Sequence, residues 1–139
     1  MKLLKTKILK LRLATMQAKE ILFKWLTTSN LTNDMLGPPN FADNPVPTRE
    51  EFDSHYKDHY FDGSKPLNGQ CYIIINDGKE IGQINYNEIN TDTKSTKIDI
   101  WMADREFTGK GLGTEAITIL YNYLGQMFEC TRLYSSFKT

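Results

Sequence analysis

The chain changes its hydrophobic period within one segment, Ile98-Asp99-Ile100-Trp101-Met102-Ala103-Asp104-Arg105-Glu106-Phe107-Thr108-Gly109-Lys110-Gly111-Leu112-Gly113-Thr114. Before the glycines, apolar and polar residues alternate as in a half-buried strand. After them, apolar residues recur at helical spacing, at Ile117, Leu120, Tyr121, Leu124 and Phe128. Glycines at a strand-to-helix turn let backbone N–H groups approach an anion closely. The segment therefore predicts a phosphate-binding turn between Gly109 and Gly113.

Composition favours a single-domain protein. The 139 residues are enough for one hydrophobic core but not for two, so we expect one domain over residues 1–139. Lysine plus arginine equals aspartate plus glutamate, so no global basic field indicates nucleic acid as a partner. The two cysteines, Cys71 and Cys130, fit a reducing compartment better than a disulfide framework, and no apolar run approaches membrane-spanning length. These features predict a cytoplasmic protein without a membrane partner.

The first half of the chain predicts a strand, a helix, a loop and a second helix. Leucines alternate with basic residues over residues 9–13, and Thr15 then precedes apolar residues at helical spacing. Residues 36–47 contain four prolines and predict a long loop. Thr48 and Glu51 have the spacing of a capping box, which predicts a second helix that carries Phe52, Tyr56 and Tyr60.

The second half predicts three strands, a helix and a last strand. Asn76-Asp77-Gly78 separates two strand patterns and predicts a β-hairpin, and a third strand is expected from Ser95 to Met102. These three strands should be antiparallel neighbours. The helix after Gly113 then leads to a short strand around residues 132–134. The predicted fold class is mixed α/β with the order β-α-α-β-β-β-α-β.

This order and the glycine motif resemble the GNAT superfamily of acyl-CoA N-acetyltransferases. The family motif is Gln or Arg, two residues, Gly, one residue, then Gly or Ala. Here Thr108 stands at the first position, while Gly111 and Gly113 match. A Walker loop does not fit, because Lys110 is followed by glycine instead of serine or threonine, and the spacing of a dinucleotide fingerprint is also absent. A helix start that merely needs flexible glycines is the structural alternative.

The resemblance implies acetyl-CoA as cofactor and direct attack of an amine on its thioester in a ternary complex. A backbone N–H around Trp101, Met102 and Ala103 would donate to the thioester oxygen. The diphosphate would be held by the turn, which contains Thr108, Gly109, Lys110, Gly111, Leu112, Gly113 and Thr114. Asp99 occupies the position usually proposed as the general base. Without the resemblance, Asp99 could also be an ordinary cross-strand carboxylate.

Within the superfamily, the chain resembles aminoglycoside 6′-N-acetyltransferases and related small-amine enzymes, which implies a small cationic amine as acceptor and a role in antibiotic resistance. Candidate acceptor-binding residues are Tyr56, Tyr60, Tyr86 and Glu88. Acidic residues around the second helix could add a negatively charged wall, namely Glu50, Glu51, Asp53 and Asp62. His55 and His59 are spaced for one helix face, but no third ligand is evident, so we expect no metal.

Family members usually continue beyond the strand after the motif helix with another helix and two more strands. This sequence stops at Thr139, so we expect a C-terminally truncated fold with an exposed sheet edge, which could pair with a second copy in a homodimer. Three alternatives remain open for function. They are a protein or peptide amine acetyltransferase, an acyl-CoA-binding homologue without turnover, and a purely structural domain.

Overall fold

A computed structural model describes residues 9–28, 48–109 and 111–135 of the 139-residue chain. The secondary-structure elements in these ranges are β1 (Leu9–Leu13), α1 (Met16–Thr28), α2 (Arg49–His55), α3 (His59–Asp62), β2 (Gln70–Asn76), β3 (Lys79–Tyr86), β4 (Ser95–Met102), a 3-10 turn (Arg105–Phe107), α4 (Leu112–Phe128) and β5 (Arg132–Ser135). The mixed α/β class and the strand order along the chain are confirmed. The predicted proline-rich loop lies outside the described residues.

The five strands form one sheet in the order β1-β2-β3-β4-β5. Neighbours from β1 to β4 are antiparallel, and β5 is parallel to β4. The two-residue turn between β2 and β3 has Asp77 at φ 54° and Gly78 at φ 77°, as the predicted Asp-Gly hairpin requires. The helix α4 supplies the crossover that a parallel neighbour needs. The predicted antiparallel meander and the short strand after the helix are therefore confirmed.

Helices cover both faces of the sheet. On one face α4 packs closely, with the ring of Phe128 6.4 Å from that of Tyr86. On the other face lie α1, α2 and α3, where the ring of Trp25 in α1 meets Trp101 of β4 edge to face at 6.2 Å. Because side chains alternate along a strand, Asp99 and Trp101 share the second face, as predicted. The functional residues of β4 are thus divided between two helical layers.

The second predicted helix is two helices. Its capping box is confirmed, since Thr48 Oγ1 accepts from Glu51 N–H and Glu51 Oε1 accepts from Thr48 N–H. The helix nevertheless ends at His55, and α3 begins only at His59. The prediction of a single second helix that carries Phe52, Tyr56 and Tyr60 is therefore wrong. His55 and His59 consequently do not share one helix.

A buried lysine explains the break between α2 and α3. Lys19 Nζ of α1 lies 3.3 Å from Asp53 Oδ1 and 3.1 Å from Asp58 Oδ1. Residues five apart in a continuous helix point about 140° away from each other, so both carboxylates could not reach one ammonium. Lys19 is only 5% exposed, and a buried ammonium needs such partners. The tertiary contact thus overrides the local helix pattern.

Candidate active site

The glycine turn before α4 holds its backbone in a conformation that suits glycine. Gly109 and Gly111 have φ values of 73° and 75°, in the left-handed region. Gly111 is the N-cap of α4, and the first helical bond runs from Glu115 N–H to Gly111 O over 3.1 Å. The N–H groups of the first turn have no acceptor inside the helix and can serve an anion. Lys110, predicted as a further contact, lies outside the described residues.

The glycines of the turn differ in what surrounds them. A Cβ on Gly109 or Gly111 would meet no heavy atom of the described chain within 4 Å, so the backbone there borders open space. A Cβ on Gly113 would instead lie 3.7 Å from both Ile100 Cδ1 and Met102 Cε. Gly109 and Gly111 therefore leave room for a phosphate group. Gly113 allows α4 to approach β4.

The other predicted cofactor contacts lie in the same turn or at its edge. Thr108 and Thr114 are exposed, whereas Leu112 is buried at the start of α4. The Leu112 side chain anchors the turn in the core, while its N–H belongs to the first helical turn. The structure thus brings residues 108 to 114, apart from Lys110, to one helix N-terminus, where the described residues leave space beside Gly109 and Gly111.

The end of β4 carries a backbone donor that β3 does not use. Ala103 N–H donates to Ile81 O of β3 over 2.8 Å. Because backbone groups alternate sides along a strand, Trp101 N–H also faces β3, and Met102 N–H points away from it. In the described ranges, β5 pairs with β4 only as far as Ile98. Of the three residues predicted to polarise a carbonyl group, Met102 is therefore the one with an outward donor.

Asp99 lies half-buried in the middle of β4, beneath α2 and α3. Asn87 Nδ2 donates to Asp99 Oδ2 over 3.2 Å, and Tyr60 Oη donates to Asn87 Oδ1 over 2.7 Å. Asn85 Nδ2 donates to the same Asn87 oxygen over 3.2 Å. Asp99 is thus the anionic member of a hydrogen-bonded group that extends to the helices above the sheet.

The amide side chains of this group belong to a pattern of alternate polar residues in the sequence, which had not been predicted to form part of a site. Gln83 and Asn85 of β3 and Asn87 directly after it occur at every second position, which places their side chains on one face of the sheet, and we call them the amide ladder. Gln83 Nε2 donates to Asn85 Oδ1 over 3.1 Å. Gln83 Oε1 is buried without a hydrogen-bond partner among the described residues. Polar residues at a period of two on an interior strand indicate a buried polar site.

Tyr56 and Tyr60 lie on the same side of the sheet as Asp99. Tyr56 Oη accepts from Trp101 Nε1 over 3.2 Å, and burial raises the pKa of the Tyr56 phenol. Burial, with smaller effects of Cys71 and Asp99, raises the pKa of Tyr60 to about 12. Both phenols are therefore protonated at neutral pH and can donate hydrogen bonds. The structure brings these two predicted acceptor residues near the predicted base.

The other two predicted acceptor residues are not brought to this group in the same way. Tyr86 lies on the opposite face, is 1% exposed, and donates to Pro66 O over 2.8 Å. Because strand residues alternate, Tyr86 cannot share a face with its neighbours Asn85 and Asn87. The prediction that Tyr86 contacts the acceptor amine is therefore corrected, because Tyr86 lies on the face of the sheet that α4 covers, away from Asp99. Glu88 is exposed just after β3.

The expected acidic wall is largely used within the chain. Asp53 pairs with Lys19 and with Arg49, whose guanidinium also holds Glu20 through two bonds of 2.7 and 2.6 Å. Glu51 caps α2, and Asp62 Oδ1 accepts from Ser64 N–H. Three carboxylates of the predicted wall, Glu51, Asp53 and Asp62, thus stabilise helix ends and contacts between helices. Asp99 is therefore the main candidate for binding a cationic acceptor.

Within the described ranges, no group of three or more His, Cys, Asp or Glu side chains is placed to hold a metal ion. Of the described helices, none combines the length and the hydropathy that a membrane-spanning segment needs.

Comparison with known proteins gives a family match and many similar folds. The profile of the family described as "Acetyltransferase (GNAT) domain" matches residues 9–139. A search of curated proteins gives no match. Among solved structures, the chain is similar to AAC(6′)-Ib in complex with an aminoglycoside and acetyl-CoA, at 23% identity and a TM-score of 0.67, over 91% of this chain and 72% of that one.

Two further similar structures are those of enzymes whose descriptions name other acceptors. A spermidine N-acetyltransferase from Vibrio cholerae, in complex with CoA and spermine, is 18% identical with a TM-score of 0.65, over 91% of this chain and 69% of that one. RimL, a ribosomal L7/L12 α-N-protein acetyltransferase, is 22% identical with a TM-score of 0.58, over 86% of this chain and 64% of that one. At these identities, the likeness shows the fold alone.

Proposed function

Because the chain belongs to the GNAT acetyltransferase family, we propose that it transfers an acetyl group from acetyl-CoA to a primary amine of a small cationic acceptor. The observation that carries this proposal is the arrangement around β4. The strand presents the Asp99 carboxylate on one face and an outward Met102 N–H at its end, and it leads into the glycine turn. Each of these groups corresponds to one need of amide formation.

The turn fits the cofactor. Acetyl-CoA, when bound, supplies a thioester-activated acetyl group and a diphosphate. The N–H groups of Gly109, Gly111, Leu112, Gly113 and Thr114 would donate to the diphosphate, and the open space beside Gly109 and Gly111 would admit it. Lys110 would add a cation, and exposed Thr108 would lie at the edge of this site. Met102 N–H would stabilise the charge that develops on the thioester oxygen.

Asp99 would accept the proton that the acceptor ammonium must lose before it attacks. Amines are protonated at neutral pH and are then not nucleophilic, so a base or a water relay is required. Asp99 also attracts a cation to the half-buried space beneath α2 and α3. Tyr56 and Tyr60 would orient the acceptor from the helix side, and Glu88 would contribute from the exposed end of β3.

A panel of amines tests the proposal. Thiol release from acetyl-CoA is measured with an aminoglycoside, a polyamine, a small monoamine and a peptide with a free N-terminus. Turnover with the small amines supports the proposal, and turnover with the peptide alone would favour a protein acetyltransferase. Calorimetric titration with CoA identifies a binding protein without turnover. A chain that neither binds CoA nor releases thiol would be a structural domain.

Asp99→Asn tests the role of the carboxylate. We expect the variant to keep its affinity for CoA, because the turn is intact, and to lose turnover by roughly 10²- to 10⁴-fold, the range for a general base. Calorimetry and thiol release measure the two effects separately. Equal turnover in the variant and the original chain would remove Asp99 from the role of base.

Self-association, domain count and location complete the proposal. β5 is the last strand of the sheet in the described ranges, and Tyr134 on it is 57% exposed. Pairing of two copies at this edge would satisfy its backbone groups. Light scattering after size exclusion measures the mass of the assembly, and a monomer at all concentrations would refute pairing.

We further propose one domain and a cytoplasmic location, with Cys71 and Cys130 both as free thiols.

A further inference from the structure

Asn87 uses every hydrogen-bonding group of its side chain. Its Nδ2 donates to Lys97 O over 3.0 Å and to Asp99 Oδ2 over 3.2 Å. Its Oδ1 accepts from Tyr60 Oη over 2.7 Å and from Asn85 Nδ2 over 3.2 Å. A primary amide offers two N–H donors and two acceptor lone pairs, so these four bonds exhaust it.

The partners of Asn87 leave its amide only one orientation. A flipped amide would place its oxygen against two acceptors, the Lys97 carbonyl and the Asp99 carboxylate, and its NH₂ group against the Asn85 donor. The Tyr60 hydroxyl could adapt by accepting, but the flip would lose the other three bonds in a part-buried site, where unpaired polar groups are costly. The network therefore directs an N–H group at Asp99.

Tyr60, which donates to Asn87 from the helical layer, is itself held in place. A Cβ on Gly69 would lie 2.5 Å from Tyr60 Cε1, so the ring rests against bare backbone there. Gln70 Nε2 donates to Tyr60 O over 2.6 Å. The Tyr60 ring also stacks on His59 at 4.4 Å. Tyr60 thus connects α3 to the amide ladder with little freedom to move.

We propose that Asn87 is a positioning residue for Asp99, a role that rests on the proposed function of Asp99 as the base. Asn87 holds Asp99 Oδ2 by a charge-assisted hydrogen bond and thereby sets the direction in which the carboxylate meets the acceptor amine. Tyr60, through its bond to Asn87 Oδ1, couples this direction to the position of α3. A small misplacement of a reacting group is enough to reduce turnover strongly.

A double-mutant cycle with the full chain tests the proposal. Asn87→Ala, Asp99→Asn and the double variant are assayed by thiol release with acetyl-CoA and the best amine of the panel. We expect Asn87→Ala to lower kcat by roughly ten- to hundredfold with little change in the KM for acetyl-CoA. In the Asp99→Asn background, Asn87→Ala should have no further effect, because the group that it positions is gone. Tyr60→Phe should show a smaller loss of the same kind.

Asn90→Ala is the matched control. Asn90 Oδ1 accepts from Asp92 N–H and Thr93 N–H over 3.0 and 3.1 Å in the turn before β4, so its loss removes a structural asparagine that makes no described contact with Asp99. We expect its kcat to equal that of the original chain. If Asn87→Ala does not fold, Asn87→Leu replaces it, since it keeps the approximate size of the side chain, removes the donor and adds no charge beside Asp99.

The outcomes separate the two proposals. If the original chain turns over and Asn87→Ala matches it, the positioning role is overturned and the proposed function stands. Equal losses from Asn87→Ala in both backgrounds, or an equal loss from Asn90→Ala, would also overturn it, because the effect would then be structural. If the original chain releases no thiol with any amine, the proposed function fails and the role of Asn87 fails with it.

Discussion

Gly82 and Gly125 differ in what a methyl group would meet. A Cβ on Gly82 of β3 would lie 2.6 Å from Trp101 O and 3.0 Å from Met102 Cα, so the backbone of β4 would have to move. We expect Gly82→Ala to lower the free energy of unfolding by about 1–3 kcal/mol and to reduce turnover, because the shift is at Met102 N–H. Urea denaturation and thiol release measure these effects.

Gly125→Ala is the matched control at this scale. In α4 a Cβ on Gly125 would lie 3.8 Å from Cys130 O, which is ordinary contact. Alanine is the better helix former, so we expect this variant to gain about 0.5–1 kcal/mol. A loss from Gly125→Ala as large as that from Gly82→Ala would show that packing against β4 is not the cause.

Gly111→Val tests the phosphate-binding turn. The φ of 75° at Gly111 is strained for any side chain and more so for a β-branched one, and the side chain would fill the space proposed for phosphate. We expect a loss of CoA affinity of at least tenfold by calorimetry, about 1.4 kcal/mol. Gly113→Ala, whose Cβ has room, should bind CoA normally. Unchanged affinity in Gly111→Val would count against the turn as a binding site.

At the scale of elements, the capping box makes α2 begin at a defined residue. Thr48→Ala removes the bond from Glu51 N–H, and we expect it to lower the free energy of unfolding by about 1 kcal/mol. Thr118→Ala is the control, because this exposed threonine bonds back to Thr114 O within α4 and caps nothing. Urea denaturation compares the two. Similar losses in both variants would contradict a specific capping effect.

The contact between α1 and α2 depends on charges as well as on packing. Arg49 holds Glu20 and Asp53, and Lys19 holds Asp53 and Asp58. The hydrogen bond from Arg49 holds the pKa of Glu20 below its usual value. Of these three carboxylates, Asp53 had been expected to line a wall for a cationic acceptor. Because these carboxylates pair with Arg49 and Lys19, the chain's own cations hold α2 in its position over the site.

At the scale of the molecule, buried tyrosines make stability depend on alkaline pH. Burial raises the pKa of Tyr60 to about 12, and it also raises the pKa of Tyr56, Tyr72 and Tyr86. Unfolded tyrosines titrate near pH 10, so between about pH 10 and 12 the folded chain binds more protons than the unfolded chain. Stability from these groups is therefore complete below about pH 10 and is lost as the pH rises.

Denaturation at a series of pH values checks this dependence. We expect the free energy of unfolding to fall as the pH rises above about 10, and Tyr60→Phe to show a shallower fall. Tyr121→Phe, at a position 43% exposed, is the control and should keep the original slope. A free energy of unfolding that is independent of pH in this range would contradict the burial of these phenols.

Features that depend on neighbouring residues could be predicted from the sequence. The change of period across residues 98–114, the Asp77-Gly78 turn and the Thr48–Glu51 box each involve residues a few positions apart, so their physical causes are visible in the sequence. The family motif belongs to the same class, because its glycines act through the local backbone. The strand order followed from these elements, since short turns make consecutive strands neighbours.

Contacts between side chains that are distant in the sequence could not be predicted and depend on the folded chain. Asn87 and Asp99 are 12 residues apart, Tyr60 and Asn87 are 27 apart, and Lys19 and Asp58 are 39 apart. These contacts depend on the register between β3 and β4 and on how the helices pack on the sheet. The same register placed Tyr86 on the face away from Asp99, although its neighbours Asn85 and Asn87 face it. Local pattern cannot determine such pairs, because the energy that selects them comes from burial and hydrogen bonding across the folded chain.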